Sequence, residues 1–363
     1  MAVILVLVGV ALVDDGRREV DTEAIRGSGP EAGTAARLLD QLTTAITEGD
    51  RGAVDDLSVG GALSHLVPNA QLLRVRDLDM RYVDEVGAAA NDGTWLAEVD
   101  VTWRLEGVDR GVARVPVLIE FNQGADGLRI DEIAKQASGG ARAPMWLVGP
   151  VSTARAARIM IVVAGDGADA HTRARELLEE TSQGVDVVRA TLADWDGRVV
   201  VEEAATAAGL DAALAAGQGT YGSIAAVTAA VDGSSASAAP VRVFLNLDVM
   251  RGMDSGGRRA VIAHELTHVA TGAHRSVAEP WLVEGFADWV ALRETVSVEQ
   301  AAKQAIEDAQ ANGLPEQLPG PEAFASNDAD LQVAYEQAWL VCRSLWLTWH
   351  HWLGQALRAG RFR

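Results

Sequence analysis

The sequence predicts an α+β protein of two folded domains, and three observations predict it. An amphipathic stretch from Glu31 to about Asp50 is followed by four strand-like segments joined by short turns, the order of a helix packed on an antiparallel sheet. Past Met145 the pattern changes to strands alternating with helices, and further on to helices joined by loops. Between these stretches lies Gln136 to Pro144, QASGGARAP, a run of small residues that reads as a linker. The expected division is an apolar segment and linker over 1–30, an α+β accessory domain over 31–135, and a domain with a mixed sheet and helices over 145–363.

Length and composition agree with this division. A chain of 363 residues is too long for one simple core. A hydrophobic content of 48% marks a soluble globular chain rather than a polytopic membrane protein. The net charge of −20 leaves no surface suited to phosphates, so no nucleic-acid partner is expected. Lys135 and Lys303 are the only lysines, and with abundant Ala, Gly and Val this reads as coding bias. The single cysteine, Cys342, excludes an internal disulfide and reads as a buried structural thiol.

Residues 2–13, AVILVLVGVALV, are apolar, too short to span a bilayer and without a basic flank. They read either as the tail of an export signal or membrane anchor, which places the rest of the chain outside the cytoplasm, or as a buried strand. In the accessory domain Ala36, Leu39, Leu42, Ala45 and Ile46 recur at helical spacing. Strands are expected at Leu72–Val86, Trp95–Leu105, Gly111–Phe121 and Leu128–Ile133, with turns at Asn91-Asp92-Gly93 and Ala125-Asp126-Gly127. This element order resembles the SnoaL-like fold, a likeness that carries no site. His65 and the acidic stretch Asp77 to Asp84 read as solvated.

In the second domain, strands are expected at 158–164, 185–190, 198–201, 224–231 and 241–249, and helices at 168–181 and 203–216. Gly217 to Gly222 matches GxGxxG literally, but a helix precedes it and no acid lies about 20 residues on, so it reads as a turn. Further helices are expected at 258–271, started by Asp254-Ser255-Gly256-Gly257 and stopped by Gly272, from Pro280, near 297–312, and over 327–345. The tail SLWLTWHHWLGQALRAGRFR departs in character from what precedes it, so His350 and His351 receive no role.

The chemistry concentrates between Val261 and Ala291. His264-Glu265-Leu266-Thr267-His268 is an HExxH run, which on a helix sets two imidazoles one turn apart and about 40° around the axis, so that both can grip one ion. Zinc suits such a site, because it takes neutral imidazole nitrogen and in catalytic centres uses three protein ligands plus a water. Glu265 then lies beside the metal, placed to take a proton from that water.

Two residues are candidates for the third ligand. His274 has the spacing of the metzincin pattern HExxHxxGxxH, but Thr271 stands where that pattern needs glycine, and all six methionines precede the helix. Glu284, in WLVEGFADW, lies on a second helix with Asp288 one turn on. There Glu284 can close the site while Asp288 accepts the free ring N–H of a ligand histidine.

This second arrangement resembles the gluzincin superfamily of zinc metallopeptidases, whose compact, membrane-associated members carry a WLxEGxAxY segment after the HExxH helix. The resemblance implies His264, His268 and Glu284 as zinc ligands, Glu265 as general base, Asp288 as orienting group and a peptide or protein as substrate. It also implies an edge strand upstream, here VRVFLNLDV, pairing with extended substrate, against the ordinary reading of a core strand. A downstream tyrosine or histidine holds the oxyanion in that superfamily. Tyr335 is the one tyrosine after the motif and is named for that role, against a tyrosine at the edge of the core. The alternative function is a non-catalytic zinc-containing protein whose N-terminal domain recognises a ligand or partner.

Overall fold

The computed structural model describes residues 8–10, 31–90, 92–135, 140–234, 239–325 and 329–358. The chain divides into two compact units, one comprising Val8–Glu179 and Arg198–Gly252, the other Glu180–Gly197 and the chain from Met253 onward. Both sheets belong to the first unit, and the second is helical.

In the first unit, α1 (Ala32–Glu48), α2 (Arg51–Leu57) and α3 (Leu66–Leu73) precede a four-stranded antiparallel meander. Its strands are β2 (Val75–Val86), β3 (Thr94–Leu105), β4 (Ala113–Gly124) and β5 (Gly127–Ile133), in that order. Strand β3 alternates strictly between buried and half-buried positions, the period-two pattern of a sheet with one face on a core. Trp95, Ala97, Val99, Val101 and Trp103 supply that face, in one core with Leu38, Leu39, Leu42 and Ile46 of α1. Burying side chains of this size contributes about 1.5–3 kcal/mol each.

From residue 140 on, the small-residue stretch after β5 is packed rather than free. Ala141, Ala143, Trp146 and Leu147 are buried, and Asn69 of α3 donates to the carbonyls of Trp146 (2.7 Å) and Gly149 (2.8 Å) while accepting from Val151 N (3.2 Å). His65, expected in solvent, is half-buried with Nε2 2.9 Å from the Leu147 carbonyl. Burial pulls its pKa down. The second sheet therefore continues the same unit instead of opening a new one; of the expected linker, 136–139 lie outside the described residues.

That second sheet is mixed, in the order β1-β9-β10-β8-β7-β6. It comprises β1 (Val8–Val10), β6 (Val151–Ala156), β7 (Ile159–Ala164), β8 (Val199–Ala204), β9 (Ala226–Ala230) and β10 (Val241–Asn246). Strand β1 pairs in parallel with Ala226 to Thr228, the strand alternative for that part of the apolar run. No helix among the described residues is long and apolar enough to cross a membrane. Short helices α4 (Met145–Val148), α6 (Ala207–Ala213) and α7 (Leu247–Met250) complete this unit.

Three expectations are corrected. Residues 185–190 are not a strand: α5 runs unbroken over Ala168–Arg189, and Val185 and Val188 are buried at helical spacing. Residues 203–206 are not helical, because β8 continues through Ala204 and Thr206 caps α6, accepting from Gly209 N at 3.1 Å. The strand VRVFLN is not an edge. As β10 it lies between β8 and β9, which pair along its two sides, so it is not a free edge for an added peptide.

Its Arg242 is fully buried, with Nη1 and Nη2 on Asp109 at 2.7 and 2.8 Å and Nε 3.3 Å from Glu202. Gly217 to Gly222 forms turns, as expected, with the Asp211 carboxylate accepting from Gly219 N (2.7 Å) and Tyr221 N (2.9 Å).

The second unit holds α8 (Ser255–Thr271), α9 (Pro280–Leu292), α10 (Val298–Ala301), α11 (Lys303–Asn312), α12 (Pro321–Ala325) and α13 (Ala329–Arg358). Glu336 of α13 ties α11 in, accepting from Ala305 N at 2.8 Å.

Candidate metal centre

Helix α8 starts and stops on local chemistry. The Asp254 side chain accepts from Gly257 N at 2.8 Å, and Gly272, at φ 68°, turns its N–H back to the carbonyls of His268 and Val269. Between these caps, every residue from Val261 to His268 is buried, so the helix is enclosed all round over two turns. Close approach makes this enclosure. A Cβ on Gly184 of α5 would stand 2.9 Å from Leu266 Cδ1 and 3.1 Å from Ile262 Cγ2. Four residues earlier on α5, Glu180 receives Arg258 Nε at 2.7 Å.

Helix α9 begins on Pro280, whose missing N–H costs nothing in a first turn. It places Glu284 and Asp288 on the face toward α8. His264 Nδ1 donates to Asp288 Oδ1 at 2.8 Å, which turns its Nε2 inward. That nitrogen lies 2.9 Å from His268 Nε2 and 3.3 Å from Glu284 Oε2, and His268 Nε2 lies 3.4 Å from the same oxygen. The two imidazoles stand nearly perpendicular, at 82°.

A circle through these three donor atoms has a radius of about 1.9 Å, which would let all three hold an ion whose ligand distances are about 2.0–2.1 Å. The electrostatics agree. Glu265, Glu284 and Asp288 are buried together with two imidazoles, an arrangement that costs several kcal/mol unless positive charge compensates it. Burial alone would depress His264, but Asp288 and Glu284 push it up to about 10. Burial likewise opposes ionisation of Glu284, yet the imidazoles hold its carboxylate down to about 2. Glu284 Oε2 and Asp288 Oδ2 have no hydrogen-bond partner among the described residues. The donor set fits a divalent cation that accepts imidazole and carboxylate, with His264, His268 and Glu284 holding it.

No family model, curated protein or solved structure matches this chain.

The structure brings together His264, Glu265, His268, Glu284, Asp288 and Tyr335, all named from the sequence. His274 lies outside the donor cluster, in the short turn Ala273–Arg275 after α8. Sequence reasoning named Tyr335 but not its surroundings: the phenol is buried, and burial first, then the charges of Glu284, Asp288 and Glu265, raise its pKa well above the ordinary value. It also missed what Cys342 faces. Burial and the nearby Asp288 push that thiol up to about 12, so it stays protonated. The signal was in the helical spacing of Tyr335, Ala338, Trp339 and Cys342, which set them on one face of α13.

Proposed function

We propose that this chain is a zinc-dependent peptidase of gluzincin type. One observation carries the reading: three buried donors on two neighbouring helices lie at zinc-ligand separations, with Asp288 fixing the tautomer of His264. Zinc bound by His264, His268 and Glu284 would polarise a peptide carbonyl and lower the pKa of a water toward neutrality. Glu265, which follows His264 on the same helix, takes the proton from that water as its oxygen adds to the carbonyl carbon. Glu265 then returns the proton to the amine nitrogen as the C–N bond breaks. Asp288 keeps the His264 proton on Nδ1 throughout.

The test is zinc content of the purified chain together with a peptide-library digest run with and without chelator. Glu265→Gln is expected to keep stoichiometric zinc and lose cleavage, and His264→Ala to lose the metal. Undiminished cleavage by Glu265→Gln sinks the mechanism. A second reading, a metal centre that supports binding by the rest of the chain, is favoured by the complete burial of Glu265. Zinc without chelator-sensitive cleavage of any peptide would select it.

A further inference from the structure

The four-stranded meander has two edges, β5 and β2. At β5 a loop takes part of the edge: Val59 N donates to the Ile130 carbonyl at 2.9 Å, and Ser58 bridges Ile130. No strand or bridge among the described residues pairs with the outer side of β2, and of its twelve residues only Met80 is buried. An open edge of that length is a template for another strand.

About Met80, β2 is symmetric in facing and antisymmetric in charge. Leu78, Met80 and Tyr82 pack on the core. Arg76, Asp79, Arg81 and Asp84 lie on the other face, across from Arg104, Thr102, Asp100 and Glu98 of β3. Two bulges interrupt the pairing with β3, at Asp77, with φ 55°, and at Val83, three positions to either side of Met80. A second copy laid antiparallel with Met80 facing Met80 therefore sets Arg76 opposite Asp84 and Asp79 opposite Arg81. On the core side it sets Leu78 opposite Tyr82, and each bulge meets the other. Sliding one strand by two residues puts Asp79 on Asp79 or Arg81 on Arg81, where like charges directly opposite repel. Asp79 has no ion pair among the described residues, and Arg81 uses only Nη2 on Asp100, at 2.7 Å.

We propose that β2 is a dimer interface: two copies pair through this strand about a twofold axis at Met80 and join their four-stranded meanders into one continuous sheet. The partner is a second copy of this chain because a charge order that reverses sign about its centre complements itself, as an interface between identical surfaces requires. The buried face fixes the register, since only the pairing centred on Met80 keeps both sets of core residues on one side. The inference stands apart from the metal centre and does not depend on zinc.

The experiment is sedimentation equilibrium of the full chain over a range of concentrations, in about 0.15 M salt, where charges more than about 8 Å apart are screened. Wild type is expected to reach twice the 38.3 kDa of the chain. Asp79→Arg sets like charge against the partner's Arg81 twice in each dimer, and association should weaken at least about tenfold. Asp79→Arg combined with Arg81→Asp restores opposite signs and should return association to within a few-fold of wild type. A monomeric wild type, an undiminished dimer in Asp79→Arg, or a double variant that stays weak overturns the proposal. If a charge variant does not fold, hydrogen exchange of wild type decides: amides of 75–86 should exchange more slowly at high concentration than at low. Exchange there that ignores concentration overturns the proposal as well.

Discussion

Gly285→Ala tests the helix contact on which the centre depends. The added Cβ meets the Ala338 carbonyl oxygen at 2.5 Å, its carbon at 2.6 Å and its Cβ at 2.9 Å. Ordinary contact needs about 3.4 Å or more, so α9 and α13 must separate by several tenths of an ångström up to roughly 0.9 Å, because two of the three atoms are main chain and cannot rotate away. Overpacking of this kind costs about 1–3 kcal/mol. Replacing glycine by alanine inside a helix returns about 1 kcal/mol. The expected net loss is about 0–2 kcal/mol in thermal or urea unfolding of the zinc-free chain.

The larger effect falls on the metal. Glu284 is the adjacent residue, and moving α9 displaces its oxygen from a donor triangle whose sides are 2.9, 3.3 and 3.4 Å. Chelator competition should show a zinc affinity at least about tenfold weaker. Ala338→Gly should not rescue it, since the carbonyl remains. Wild-type zinc affinity in Gly285→Ala, or full rescue by the second substitution, would refute this account of the contact.

Other perturbations follow from the same geometry. Asp288→Asn removes the carboxylate that holds His264 Nδ1–H, and zinc affinity is expected to fall about 10–100-fold in the same competition assay. The metal-free chain should lose stability as pH rises from neutrality toward 10. The pKa of folded His264 is raised above its ordinary value of 6.5 to about 10, so its contribution is complete below 6.5 and disappears through that window. Urea midpoints at pH 7 and pH 9.5 should show this fall, and zinc loading should abolish it. Acid acts in the opposite sense on the loaded chain, where protons displace zinc and affinity drops by up to about tenfold per pH unit for each histidine protonated. In the sheet-bearing unit, Arg242→Ala strands Asp109 and Glu202 without their cation, and a loss of about 3–5 kcal/mol is expected in denaturant unfolding.

The centre was legible because its parts are local. Caps at Asp254 and Gly272, proline at position 280, and both histidines and all three acids fall within forty consecutive residues, where helical periodicity fixes direction. What periodicity leaves open is which element lies opposite. The apolar alternation of VRVFLN marks a strand but not its neighbours, and its interior place depends on β8 and β9, paired through residues that its own pattern does not name.

Strand β6 escaped notice because Ser152, Thr153 and Arg155 break the apolar pattern, although Ser152 is buried with its hydroxyl on the Gly165 carbonyl at 2.8 Å. The run Val185-Asp186-Val187-Val188 fits a strand and a helix about equally, and tertiary burial of Val185 and Val188 decided for the helix. Gln136 to Pro144 resembled a spacer because small residues serve loops and tight packing alike. Tyr335 could be assigned to a face from its neighbours, but Glu284, whose charge acts on it, lies 51 positions earlier in the chain.

No surface of Glu265 reaches solvent. If Glu265 is the base proposed above, bond-breaking there would have to wait for the surrounding helices to part, and turnover would be paced by breathing of the fold rather than by proton transfer. Bulky chains would be admitted less often than short ones. Amides of α8 and α9 should then exchange with deuterium at a rate that sets the ceiling on kcat.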